Sequence, residues 1–168
     1  MDAVICGIDP GLETTGYAVV RGRVAPPAVV DAGVCRFGRT RSLAERLVDI
    51  ERDLSSILRE HQPNVVAVEQ LYAHYKHPRT AILMGHARGV ILLTAARVGI
   101  EVRDYAATRV KRCLTGNGRA TKGQMQRAIQ ATLNLAELPE PADVADALAI
   151  ALCCHSEIGR VGVGEVAR

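Results

Sequence analysis

The chain has 168 residues, 21 of them Lys or Arg and 18 Asp or Glu, for a net charge of +3. With 48% hydrophobic and 23% charged residues it is too apolar for disorder, and its length suits one domain that needs no disulfide or structural-metal staple. No apolar run approaches the roughly 20 residues that span a bilayer, no secretory signal is expected at the start, and five cysteines without a C-x-x-C pair argue for reduced thiols in the cytoplasm rather than a zinc cage.

Val4 to Ile8 is a short apolar run closed by Asp9-Pro10-Gly11, the pattern of a strand stopped by a turn. Thr15 to Val20 and Val29 to Val34 read as two more strands, joined across Gly22 and Pro26-Pro27, so the three predict an antiparallel meander. Ser42-Leu43-Ala44-Glu45 is a capping-box signature, and behind it Leu43, Leu47, Ile50, Leu54, Ile57 and Leu58 recur at helical spacing. Pro63-Asn64 breaks that helix, and Val65 to Val68 is a buried-type strand ending at Glu69. Pro78 opens a helix to about Arg97 that is apolar on more than one face. A strand over Ile100 to Asp104 and a helix over Thr108 to Leu114 follow, and the loop Gly116-Asn117-Gly118-Arg119 leads to a helix over Thr121 to Leu133. Pro139-Glu140-Pro141 introduces the last helix, from Ala142 to about His155. The order predicts an α/β domain over residues 1–156, a mixed sheet flanked by helices, with a flexible tail at 157–168.

Three acidic placements interrupt apolar segments. Asp9 and Glu69 each end a strand, and ligands of open α/β sheets collect at strand carboxyl ends. Asp143 and Asp146 are three apart on the last helix, hence on one face, and Ala145, Ala147, Leu148, Ala149 and Ile150 leave Asp146 partly shielded from water. Each acid has a plainer reading when taken singly. Asp9 suits a turn, Asp143 the helix dipole and Glu69 a solvated strand end. Asp146, one turn deeper, has no such reading, because an unpaired carboxylate there is costly without a cation. The joint pattern favours a carboxylate cluster; oxygen-only donors suit Mg²⁺ or Mn²⁺, and four acids around such ions point to two-metal phosphodiester hydrolysis. The five scattered histidines make a poor zinc site.

Five blocks then carry a resemblance. Gly7-Ile8-Asp9-Pro10-Gly11 with Thr15-Gly16-Tyr17, Ala67-Val68-Glu69-Gln70, Ala87-Arg88-Gly89-Val90, Thr115 to Ala120, and Ala145-Asp146-Ala147-Leu148-Ala149 resemble, in order, the RuvC family of Holliday-junction resolvases. The resemblance implies an RNase H-like fold with a five-stranded sheet, and a homodimer that nicks two opposed strands of a four-way DNA junction in recombination and repair, leaving 5′-phosphate and 3′-hydroxyl ends. It assigns Asp9, Glu69, Asp143 and Asp146 as metal-binding catalytic acids, with two Mg²⁺ per subunit that Mn²⁺ can replace, and it implies cooperation with the RuvA–RuvB branch-migration complex.

For DNA it implies Lys111 and Lys122, two of the chain's three lysines, near the scissile phosphate, and Gly116, Gly118 and Arg119 as a basic loop approaching phosphate. Tyr72, where the family usually has Phe, would stack on an unpaired base at the crossover. The stretch from Ala73 to Pro78 departs from the family pattern and is about one residue longer, which leaves the roles of Tyr75 and Lys76 open. The helix opened by Pro78 would serve the dimer. Three other readings stand beside this one. They are a nucleotide-binding domain of the actin-like ATPase and sugar-kinase type, a related nuclease for RNA or another DNA structure, and a junction-binding module without catalysis.

Overall fold

The computed structural model describes residues 2–38, 40–71 and 78–165, with side chains up to residue 159. Ten elements follow one another: β1 (Ala3–Asp9), β2 (Thr14–Gly22), β3 (Ala28–Arg36), α1 (Leu43–His61), β4 (Val65–Glu69), α2 (Pro78–Arg97), β5 (Glu101–Tyr105), α3 (Ala107–Thr115), α4 (Lys122–Leu133) and α5 (Ala142–Glu165). The sheet order is β3-β2-β1-β4-β5. β1, β2 and β3 form the expected antiparallel meander, and β4 and β5 add in parallel on the other side of β1.

Because side chains alternate along a strand, the sheet feeds two cores. Cys6 and Ile8 of β1, with Val19, Val66 and Val68, meet Ile50, Leu54 and Leu58 of α1 and Ala87, Ile91 and Ala95 of α2. Ile5, Ala18, Val20, Val65 and Ala67 face the other way, against α5 and against Val110 of α3 and Ile129 of α4. The continuous apolar character of β1 and β4 follows from this double burial.

Local sequence sets the helix ends. Ser42 caps α1 in the expected box: its Oγ accepts from the Glu45 amide at 3.3 Å while Glu45 Oε2 accepts from the Ser42 amide at 2.7 Å. Gln62 closes α1 in the left-handed region, at φ 46°, just before Pro63.

From Val144 to His155 every residue of α5 but the half-buried Asp146 is buried, with Ala147, Ala151, Cys153 and Cys154 fully enclosed. It lies so near the sheet that two glycines are required beneath it. A Cβ on Gly7 would come within 2.8 Å of the Ala151 amide nitrogen, and one on Gly16 would come within 3.0 Å of Asp143 Cβ. Glycine inside a strand often marks such a close backbone approach.

The end of α5 departs from expectation. It continues past His155 to Glu165, so residues 157–165, expected as a flexible tail, are helical. The turn after His155 is held by side chains. Glu157 accepts from the Tyr105 hydroxyl at 3.0 Å and from Arg109 Nε at 2.9 Å, and Ile158 packs on the α5 core.

The α5–sheet contact yields a direct test. Gly7→Ala is expected to lower stability by about 1–3 kcal/mol through overpacking. Gly159→Ala, where a Cβ would meet nothing within 4 Å, is expected to be neutral or to stabilise by about 0.5–1 kcal/mol. Urea midpoints of the two variants check both.

Candidate active site

Asp9 and Glu69 are the last residues of β1 and β4. The two strands are parallel, with Ile8 opposite Val68, so the two acids leave the sheet side by side. Ile8 and Val68 face α1 and α2; one residue on, alternation turns Asp9 and Glu69 to the α5 side. The turn after Asp9 is closed by Thr15, whose Oγ1 accepts from the Gly11 amide at 3.2 Å and donates to the Gly11 carbonyl at 2.8 Å. α5 supplies the other two acids. Asp143 lies against Gly16, and Asp146 stands one turn on, next to the residues that cover Gly7.

The electrostatics mark these acids as neighbours. Burial, then the charges of Glu69, Asp146 and Asp143, push the Asp9 carboxyl up from 3.8 to about 8. Burial raises Glu69 as well, and the Asp146 charge adds to this. Asp9 and Glu69 thus form a coupled pair of carboxyls, both raised by burial, whose protons belong to the pair. Asp146 is raised, first by burial and then by Asp143, against the pull of Lys122 and Lys111. Among the described residues no three His, Cys, Asp or Glu side chains converge as a closed cage. The acids stand near enough to repel one another, and a cation would have to draw them together.

Beside them is a cleft of ≈ 180 Å³ lined by Glu69, Asp146, Lys111 and Lys122, with Val110, Met125 and Ile150 among the apolar lining. Lys111 projects from α3 and Lys122 opens α4. The connection between them is built by local chemistry. Gly116 ends α3 at φ 74°, a conformation that favours glycine. Asn117 Oδ1 accepts from the Arg119 amide at 2.9 Å, and Thr121 caps α4 in a second capping box with Gln124. Gly116 and Arg119 are exposed and Gly118 is half-buried against the Thr108 carbonyl.

The six expected residues Asp9, Glu69, Asp143, Asp146, Lys111 and Lys122 thus gather at one edge of the sheet. Gly116, Gly118 and Arg119 lie on the adjoining connection and are not among the cleft-lining residues. Tyr72, with Tyr75 and Lys76, lies outside the described residues. Three histidines are engaged elsewhere: His61 with Asp31 at 3.1 Å, His86 with the Ile82 carbonyl at 2.8 Å and His155 with the Gly22 carbonyl at 3.1 Å. Sequence reasoning gave no task to Gly7 and Gly16, although glycine inside an apolar strand is the signal for a close approach.

Comparison with known proteins gives the family. A family model described as "Crossover junction endodeoxyribonuclease RuvC" matches residues 5–155. The chain belongs to the RuvC family. A RuvC from Rhodopirellula baltica is 54% identical over 151 residues, spanning 90% of this chain and 85% of that one. Another, from Alkaliphilus oremlandii, is 42% identical over 93% of this chain and 94% of that protein. Among solved structures, Thermus thermophilus RuvC in complex with Holliday junction substrate superposes with a TM-score of 0.88 at 33% identity, over 95% of this chain and 96% of that one. The yeast mitochondrial Holliday junction resolvase Ydc2, at 12% identity and a TM-score of 0.60 over 98% of this chain and 86% of that one, shares the fold. The RNase H-like sheet expected from the RuvC resemblance is the one found. Neither the nucleotide-binding reading nor the non-catalytic one is favoured by these relatives.

The raised Asp9 carboxyl carries a pH dependence. Its ordinary value is 3.8 and its value in the fold about 8, so the folded state binds this proton more tightly than the unfolded one. The stability it contributes is full below about pH 4 and is lost as pH rises towards 8. Chelator-treated protein is therefore expected to lose stability across that window, and Asp9→Asn to flatten the slope. Urea midpoints of both proteins across the window measure it, and parallel slopes would contradict it.

Proposed function

We propose that the carboxylate edge of the sheet is the active site of a Holliday-junction resolvase that hydrolyses phosphodiester bonds with divalent cations. The single observation that carries this is the placement of Asp9 and Glu69 at adjoining ends of parallel strands, with Asp143 and Asp146 of α5 beside them. There burial first, and then the charges of the other three acids, raise Asp9 to about 8. Acids held this close are stabilised by cations, and a donor set made only of oxygens fits Mg²⁺ or Mn²⁺ better than zinc. Asp9, Glu69, Asp143 and Asp146 would hold the ions, two per subunit. When bound, such ions lower the pKa of water and neutralise charge that builds on the phosphate and the leaving oxygen.

The chain's own residues do the rest. Asp9 and Glu69 would lose their shared proton to solvent and stand as paired carboxylates beside the cleft. Lys111 and Lys122 receive the phosphate oxygens in the cleft, orienting the bond for attack by water and release of 5′-phosphate and 3′-hydroxyl ends. Gly116, Gly118 and Arg119 follow the DNA backbone beyond the cleft. Tyr72 stacks on an unpaired base at the crossover.

Two symmetric nicks require two sites, and α2 supports a homodimer. It exposes Ile82 at 62% and Leu93 at 50%. Gly85 and Gly89 lie along the same exposed stripe, where a Cβ would meet nothing within 4 Å. A C2 pairing through this face would present one cleft to each opposed strand. By the same reading the enzyme works in the cytoplasm beside chromosomal DNA, in recombination and repair, and cooperates with the RuvA–RuvB branch-migration complex.

Cleavage of a synthetic four-way junction beside a linear duplex of equal sequence tests the proposal. Symmetric nicks at the junction with Mg²⁺ or Mn²⁺, reduced to background by Asp146→Asn, are expected. Tight junction binding with no cation-dependent cutting would contradict it.

A further inference from the structure

Arg88 belongs to the block Ala87-Arg88-Gly89-Val90 and has so far been given no task. It sits in the middle of α2, beside the buried Ala87 and Ile91. Its side chain is only 18% exposed, which is deep for a long cation. Its Nε donates to the Glu69 carbonyl at 3.2 Å, and a terminal nitrogen pairs with the Asp104 carboxylate of β5.

The peptide unit joining Glu69 to Gln70 is therefore held at both of its polar atoms. Its carbonyl accepts from Arg88, and its N–H donates to the Tyr105 carbonyl at 2.8 Å. A strand end with both groups fixed cannot rotate about its last residue, so the direction in which the Glu69 side chain leaves the sheet is set. Arg88 does this from behind. Tyr105 is buried in the α5 core, and its neighbour Asp104 alternates to the opposite, α2, face, away from the cleft. The guanidinium fork suits the task, since it can serve a carbonyl and a carboxylate at once; the single ammonium of Lys cannot hold the same plane.

We infer that Arg88 is a positioning residue for the reaction: by clamping the Glu69–Gln70 peptide between α2 and β5, it aims the Glu69 carboxylate into the acidic cluster. The inference rests on the reading of Glu69 as a cation ligand. Groups that orient metal ligands from behind commonly carry about ten- to a hundredfold of affinity or activity.

The test uses the full chain with Arg88→Met, Arg88→Lys, Asp104→Asn and Glu69→Gln. Mn²⁺ affinity is read by calorimetry with Mn²⁺ alone, junction cleavage as separate kcat and KM, and dimer content by sedimentation. Arg88→Met is expected to weaken Mn²⁺ binding and kcat each by about tenfold, with KM for the junction and dimer content unchanged. Arg88→Lys should recover part of the loss, and Asp104→Asn should show a smaller loss of the same kind. These two variants carry the test if the Met variant does not fold. Wild-type Mn²⁺ affinity and kcat in the Arg88 and Asp104 variants, beside an inactive Glu69→Gln, would overturn the role of Arg88 alone. So would a rise in KM without a fall in kcat, or a loss that tracks dimer dissociation. A Glu69→Gln protein that binds Mn²⁺ and cuts like wild type would bring down the reading of the site and, with it, this inference.

Discussion

Everything at the site depends on how closely α5 lies against β1 and β2. Without side chains at Gly7 and Gly16, the helix backbone comes into contact with the strand backbones. That contact places Asp143 and Asp146 over the strand ends that carry Asp9 and Glu69. A single methyl at either glycine would have to lift the helix, and a displacement of about 1 Å is enough to spoil a catalytic constellation. The same seat also explains the composition of α5, where Ala147 and Ala151, one turn apart, keep the helix thin where it crosses Gly7.

The crowding this creates is unfavourable in the chain by itself. Burial and mutual repulsion raise three of the four acids, and the pull of Lys111 and Lys122 offsets this only in part. Such an arrangement is tolerated because the surrounding fold over-determines it: α5 is anchored at its far end by Glu157 to Tyr105 and Arg109, and both cores are filled with aliphatic side chains. The stability of the scaffold and the instability of the bare site are two sides of one design. The lysines add the complementary half, since a cleft lined by both acids and cations can take a phosphate and the ions that act on it.

Much of this was legible in the sequence because the signals are local. Apolar runs that stop at Asp9 and Glu69 mark strand ends, the spacing of Asp143 and Asp146 marks one helix face, and Ser42 with Glu45 marks a helix start. What was not legible is tertiary. The adjacency of β1 and β4, which turns two isolated acids into a pair, is a matter of strand pairing and not of any residue. The continuation of α5 to Glu165 has no period to announce it, and Tyr105, which holds the first added turn, is 52 residues away from Glu157. Arg88 stood inside a recognised block without a role because one of its partners is a backbone carbonyl, which has no sequence signature.

The central claim, that four acids are held against their own repulsion for the sake of cations, is tested most directly by the protons they release. Calorimetric titration of the chain with Mg²⁺ or Mn²⁺ near neutral pH, in two buffers of different ionisation heat, counts protons released per ion bound. The account predicts proton release on binding, because Asp9 is protonated up to about 8, and its disappearance in Asp9→Asn. Binding with no proton release in the wild-type chain would contradict it.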